Sequence, residues 1–292
     1  MNTVVLALVS FSALINAYWN FVLKKSINKG ADKILLYWLS SFSGVMIYSI
    51  IFLLLIIKYD VTYQGIFLAA LCGIFFALYT FSLSKSYELS DLSHAYPLTK
   101  ITPLFTLFIG YFYLRETITI SALIGIFLVV FGVYCMHLRD FTIKNFLRPI
   151  ISIKSKGSLF ALATAIISAI YGLIYKASAG LMNPFIFIYA SYAFLTIFYA
   201  PFLIFKSHNI LSEINKFRKE IIQIGLLDIF GASLLLIALS LSQLSYVFSL
   251  RQMSILFTVF GGVYFLKEKY EKTRILATIL IIFGIFLITV NI

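Results

Sequence analysis

Residues 90–116 read SDLSHAYPLTKITPLFTLFIGYFYLRE, and residues 242–268 read SQLSYVFSLRQMSILFTVFGGVYFLKE. The stretches stand 152 positions apart and align without a gap. Eleven of the 27 aligned positions are identical: Ser90/Ser242, Leu92/Leu244, Ser93/Ser245, Leu98/Leu250, Leu104/Leu256, Phe105/Phe257, Thr106/Thr258, Phe108/Phe260, Gly110/Gly262, Leu114/Leu266 and Glu116/Glu268. The same offset carries outward to Ala17/Ala169, Lys24/Lys176, Ser26/Ser178, Tyr37/Tyr189, Gly73/Gly225, Phe131/Phe283 and Gly132/Gly284. A chain rich in Leu and Phe matches itself often by chance, so one pair says little. Eleven in one ungapped run, extended into other segments, identify an internal duplication.

The medium around that duplication follows from composition. Of 292 residues, 62% are hydrophobic and 12% charged, and the mean hydropathy is +1.01. A soluble domain carries about 25% charged residues, so lipid solvates most of this chain. The start MNTVVLALVS lacks a basic segment and a small-residue cleavage site, and reads as the first span rather than a signal peptide. Cys72 and Cys135 fall inside apolar runs, which suggests neither pairing nor metal binding. The net charge of +12 lies mostly in short loops, where Lys and Arg set membrane orientation, and nucleic-acid binding is excluded.

Apolar runs of about 20 residues suit a bilayer. Ten are predicted: 3–23, 33–57, 64–85, 94–114, 118–137, 158–178, 184–205, 221–241, 246–266 and 274–291. Aromatic residues near their ends, such as Tyr18, Trp19, Tyr37, Trp38, Tyr111 and Tyr113, suit interfacial belts, and lipid contact accounts for most of the Phe and Tyr residues. Of the 23 Lys and Arg, 18 fall in odd-numbered connections, three in even-numbered ones (Lys58, Arg115, Lys176), and two (Lys100, Arg251) within spans. The positive-inside rule then places odd loops in the cytoplasm and both termini outside.

The expected fold is an all-α integral membrane protein of ten transmembrane helices in a 5+5 inverted-topology repeat. Residues 1–140 form the first five-helix repeat, 141–157 a basic connecting loop, and 158–292 the second repeat. Five spans per half make the second half enter the membrane inverted, as in secondary transporters with a mid-membrane site. A duplicated structural protein without a cavity is the alternative.

Three marks carry a resemblance over nearly the whole chain: NAYWNFVLKKS at residues 16–26, HAYPLTKITPLF at 94–105, and the helix-ending LRE and LKE at 114–116 and 266–268. With these the chain resembles a ten-helix EamA-type member of the drug/metabolite transporter superfamily. The resemblance implies a transporter without naming a cargo. It also implies cytoplasmic termini, the reverse of the charge count. Small multidrug exporters of the superfamily keep a carboxylate on the first helix, and this chain has none there. Plastid phosphate translocators and nucleotide-sugar transporters, more distant relatives, are similar in carrying basic residues on the corresponding helices.

The polar groups inside spans complete the reading. Lys100 lies between Pro97 and Pro103. Pro97 cannot donate to Ser93 and Pro103 frees the Thr99 carbonyl, so a kink or unwound turn is expected beside the charge. Such backbone is tolerated only against protein or a wet cavity, although a lysine stem can also snorkel to the interface. Arg251 falls opposite Thr99 in the repeat. Asp228 is the one acid well inside a span, and its expected role is to neutralise Lys100 or Arg251, with proton coupling the alternative. Two cations and one acid leave a formal balance of +1, which an anionic substrate would relieve. The candidate substrate-binding residues are Lys100, Arg251, Asn16, Trp19, Asn20, Tyr79, Tyr96, Tyr171, Asp228 and Gln252, any of the uncharged ones serving equally as a helix–helix hydrogen bond. Glu116 and Glu268 read as helix caps or local ion pairs.

The chain holds no GxxxxGK[ST] loop, no paired DxxxD and no His/Glu zinc cluster, so no catalytic constellation, metal or cofactor is implied. The expected function is secondary transport of a small metabolite, an organic anion, across a bacterial inner membrane. The expected partners are the bilayer, the substrate and an unidentified coupling ion, as monomer or homodimer. Export of amino acids or other neutral or zwitterionic compounds is the first alternative, and a membrane enzyme acting on lipid-linked substrates is the outsider.

Overall fold

The computed structural model describes the chain except residues 1–2, 90–97, 137, 139–141, 143–145, 147–154, 202–209, 258–271 and 291–292. The described elements are α1 (Thr3–Asn28), α2 (Lys33–Lys58), α3 (Tyr63–Leu89), α4 (Thr102–Phe112), α5 (Ile120–Met136), α6 (Lys156–Ser178), α7 (Pro184–Tyr199), α8 (Ile210–Leu241), α9 (Leu244–Leu250) and α10 (Lys272–Val290). Each predicted span overlaps one of these helices, so the all-α, ten-helix expectation holds among the described residues. Among the described residues, α1, α2, α3, α6 and α8 are long and apolar enough to cross a membrane, and α4, α5, α7 and most of α10 are shorter apolar helices. Large exposed side chains such as Ile50, Leu54 and Ile57 on α2, or Phe283 and Phe286 on α10, are costly in water and suited to lipid.

The first connection of each repeat uses the same local chemistry. Helix α1 ends at Asn28 and is followed by Gly30 at φ 90°, while α6 ends at Ser178 and is followed by Gly180 at φ 86°. Glycine takes that left-handed conformation without a Cβ clash. The next helix then opens on an Asx cap. Asp32 accepts the N–H groups of Ile34 and Leu35 at 2.9 and 3.0 Å, and Asn183 accepts that of Phe185 at 3.0 Å. Each cap is worth about 1 kcal/mol.

Helices α1 and α3 run on to Asn28 and Leu89, a few residues past the predicted ends, and the start of α8 differs most. Helix α8 begins at Ile210, well before the predicted 221, because the charged stretch around Glu213–Glu220 continues the helix across a kink at Phe217 (φ −121°, ψ 22°). Phe217 is buried against Val22, Leu35, Leu36 and Ile224, which anchors the bend. Apolar composition marked where lipid begins, not where the helix does.

The chain divides into two compact units. Unit 1 comprises Met1–Ser10, Leu78–Leu173 and Leu241–Ile292, and unit 2 comprises Phe11–Ala77 and Ile174–Ser240. Each draws on both sequence repeats. In unit 1 the broadest contact joins α5 to α10, which are repeat mates, and α4 packs on α9. A Cβ at Gly125 would lie 2.6 Å from the Gly284 carbonyl oxygen, and one at Gly132 would lie 3.0 Å from the Ala277 carbonyl oxygen. Gly125 is the repeat mate of Ala277, and Gly132 of Gly284, so the second contact is the first with the repeats exchanged. The partner number falls as the α5 number rises, so the two mates run antiparallel. An inverted duplication about a two-fold axis produces that pattern.

Unit 2 repeats the arrangement with α2 against its mate α7. Trp38 Nε1 donates to the Thr196 carbonyl at 3.0 Å, and Phe52 stacks on Tyr189 at 4.2 Å, again with numbers running in opposite directions. A Cβ at Gly44 would stand 2.7 Å from the Gly225 carbonyl oxygen. Exchanging repeats turns that pair into Thr196 and Gly73, and a Cβ at Gly73 would meet Phe194 Cβ at 2.6 Å and Leu195 N at 2.8 Å, within two residues of that place.

Candidate functional site

The residues singled out between the prolines lie in unit 1, at an interruption of the fourth helix. Residues 98–99 are helical, Lys100 is a turn, and α4 starts at Thr102 with Pro103 in its first turn. Without an amide, Pro103 leaves the Thr99 carbonyl unclaimed by the helix, and the Thr102 hydroxyl reaches it at 3.4 Å. Thr106 likewise donates to the Pro103 carbonyl at 3.1 Å. The chain is thus a turn at Lys100 and not continuous helix. Pro97 and Tyr96 lie outside the described residues.

The repeat mate breaks within one residue of the same register. Helix α9 ends at Leu250, Arg251 and Gln252 are turn residues, and residues 253–257 resume the helix. No proline is involved. The turn tightens instead through bonds to carbonyls three residues back: Gln252 N–H to Ser249 at 3.2 Å, Ser254 N–H to Arg251 at 3.1 Å and Ile255 N–H to Gln252 at 3.0 Å. Such 3₁₀ geometry within a helix often marks a functional hinge or a strained sequence. Ser249 also bonds back to the Ser245 carbonyl at 2.7 Å, which competes with straight helix.

Each break thus carries a half-buried cation at the N-terminal side of the helical segment that follows it. The first amides of a helix lack intrahelical acceptors and carry partial positive charge. A cation beside them makes a setting that favours an anion. Gln252 is 8% exposed at the second break.

The aromatic candidates of unit 1 are engaged in packing. Tyr171, 4% exposed, meets Tyr79 edge-on at 5.9 Å and Phe248 at 6.1 Å, and its hydroxyl accepts from Ser168 at 3.1 Å. Gly172 admits the Phe248 ring where a Cβ would clash. In unit 2, Trp19 stands 6.5 Å from Tyr37, and the Asn20 amide donates to the Asn16 carbonyl at 2.7 Å. Asp228, assigned by sequence to a cation, accepts a hydrogen bond from the buried Tyr192 hydroxyl. Tyr192 was not a sequence candidate. One tyrosine among 19 in an aromatic-rich chain gives no signal until the fold sets it opposite the acid. Among the described residues no group of three His, Cys, Asp or Glu side chains is placed to hold a metal ion.

The sequence profile of the EamA-like transporter family matches this chain twice, over residues 3–138 and 155–290. One solved structure, described only as "Crystal structure of protein", is similar to it with a TM-score of 0.76 over 98% of this chain and 99% of that chain, at 16% sequence identity. That likeness concerns the fold alone. No curated protein matches the sequence.

Proposed function

The chain belongs to the EamA-like transporter family, and we propose that it is a secondary transporter carrying a small organic anion by alternating access. Family membership makes it an integral membrane protein and a transporter of small compounds. The observation that carries the anion is the pair of breaks at equivalent repeat positions, one holding Lys100 and the other Arg251, in helices that pack on each other in unit 1. Discontinuous helices aim half-helix N-termini at anionic groups in other inverted-repeat transporters. Arginine suits bidentate capture of carboxylate or phosphate, and lysine adds a mobile point charge.

Counterflow tests the reading. Purified protein in proteoliposomes is preloaded with unlabelled 3-phosphoglycerate, succinate or leucine, and uptake of the same labelled compound is followed. Accumulation of an anion, with leucine silent, supports the proposal. Leucine counterflow with both anions silent moves the protein to the neutral or zwitterionic alternative. Chemical conversion without net movement would mark an enzyme acting on lipid-linked substrates.

A further inference from the structure

The connection between α4 and α5 grips the start of α9. The Glu116 carboxylate accepts the backbone N–H of Leu244, the backbone N–H of Ser245 at 3.2 Å and the Ser245 hydroxyl at 2.6 Å. One residue on, the Thr117 carbonyl accepts the Gln243 side-chain amide at 3.1 Å and the Tyr246 hydroxyl at 3.3 Å. Thr119 N–H in turn reaches the Tyr246 hydroxyl at 3.4 Å. All of these residues belong to unit 1, yet they join the first sequence repeat to the second.

The backbone is shaped for this grip. Arg115, at φ 53°, is the one non-glycine residue with positive φ among those described, and it turns the chain so that the Glu116 N–H reaches the Gly110 carbonyl at 2.8 Å. A non-glycine residue held there signals a conformation that the surroundings enforce. Gly110 is required by the same arrangement, because a Cβ at that position would fall on the Glu116 carboxylate.

Helix α9 is only seven residues long, and its far end is Arg251. Fixing its first turn therefore fixes where that cation stands, about 10 Å further along at 1.5 Å per residue. We propose that Glu116 is a positioning residue for Arg251, its carboxylate holding the start of α9 and thereby setting the place of the cation at the break. What Arg251 does for cargo rests on the proposed function. Where Arg251 stands does not.

Two arms separate these. In the first, Cys72 and Cys135, both buried, are replaced by Ala, and Arg251→Cys supplies the single thiol. Its rate of labelling by methanethiosulfonate ethylammonium is measured in proteoliposomes. Removing a carboxylate that satisfies three donors should change that rate by about tenfold in Glu116→Gln. Gly110→Ala should act as strongly and add nothing to Glu116→Gln. Ser245→Ala, which keeps the carboxylate, should shift the rate in the same direction by less, and covers the case in which Glu116→Gln does not fold. A rate within about twofold of the parent in every folded variant overturns the proposal.

In the second arm, Glu116→Gln, Arg251→Gln and the double variant are compared in counterflow of labelled 3-phosphoglycerate and succinate. A residue acting through Arg251 makes the double variant no worse than Arg251→Gln alone. Additive losses, expected of a general structural role, overturn the positioning claim. Normal transport by Arg251→Gln contradicts the proposed function instead, and the labelling arm still decides the position of α9.

Discussion

Gly125 and Gly284 stand back to back, each occupying the place where a Cβ of the other would meet backbone: 2.6 Å to the carbonyl oxygen in both directions. The contact sits between α5 and α10, and its exchanged counterpart joins Gly132 to Ala277. Glycine here serves close approach rather than an unusual φ.

Gly284→Ala should therefore destabilise the protein. Its Cβ would also crowd Val129 N at 2.9 Å, and backbone cannot yield as a side-chain tip does. Overpacking of this kind costs about 1–3 kcal/mol. Thermal unfolding of the detergent-solubilised protein should show a lower midpoint. An unchanged midpoint would contradict the packing of the repeat mates.

Tyr192→Phe removes the hydroxyl that donates to Asp228 inside unit 2. Losing a hydrogen bond to a carboxyl group in a buried setting costs about 1.5–3 kcal/mol. The variant should unfold at lower temperature than the parent, whereas Tyr18→Phe, at an exposed position, should not. Equal midpoints for both variants would remove Tyr192 as the partner of Asp228.

Pro103→Ala restores an amide able to bond to the Thr99 carbonyl, displacing the Thr102 hydroxyl. Proline is tolerated where it stands, in the first turn of α4, but costs about 3 kcal/mol in a helix interior, so its removal lets α4 extend back through residues 100–101. The expected outcome is a higher unfolding midpoint together with slower counterflow. Faster or unchanged transport would mean the break at Lys100 is dispensable.

The ten helices and the duplication were readable because lipid forces long apolar runs, and a fixed offset is visible without knowing contacts. The break at Lys100 was readable because proline writes it into the backbone. The break at Arg251 was not, since it comes from 3₁₀ bonding and serine back-bonding with no proline; carrying the first break along the repeat offset would have found it. Glu116 read as a helix cap or a local ion pair, but its target, the start of α9, is 128 residues away and could only come from the fold. The glycines of α5 and α10 were equally silent, because a small residue in an apolar run suits lipid or a helix crossing alike. Nor could sequence show that repeat mates pack on each other within each unit.

Orientation tests the charge argument separately. With 18 of 23 basic residues in odd connections, both termini should face outward. A fluorescent reporter that matures only in the cytoplasm, fused after Ile292, should stay dark. A bright reporter would side with the cytoplasmic termini that the family resemblance implies.

Whether the two cations at the twin breaks bind an anionic cargo is read from counterflow in proteoliposomes of Lys100→Gln, Arg251→Gln and the parent. Loss of a charge-assisted contact worth about 1.5–3 kcal/mol corresponds to roughly a tenfold or greater fall in apparent affinity. Such a fall is expected for labelled anion in both variants, with folded yield and unfolding midpoint near those of the parent. Parental anion transport in both variants would show that the basic pair is structural and that the cargo is bound elsewhere.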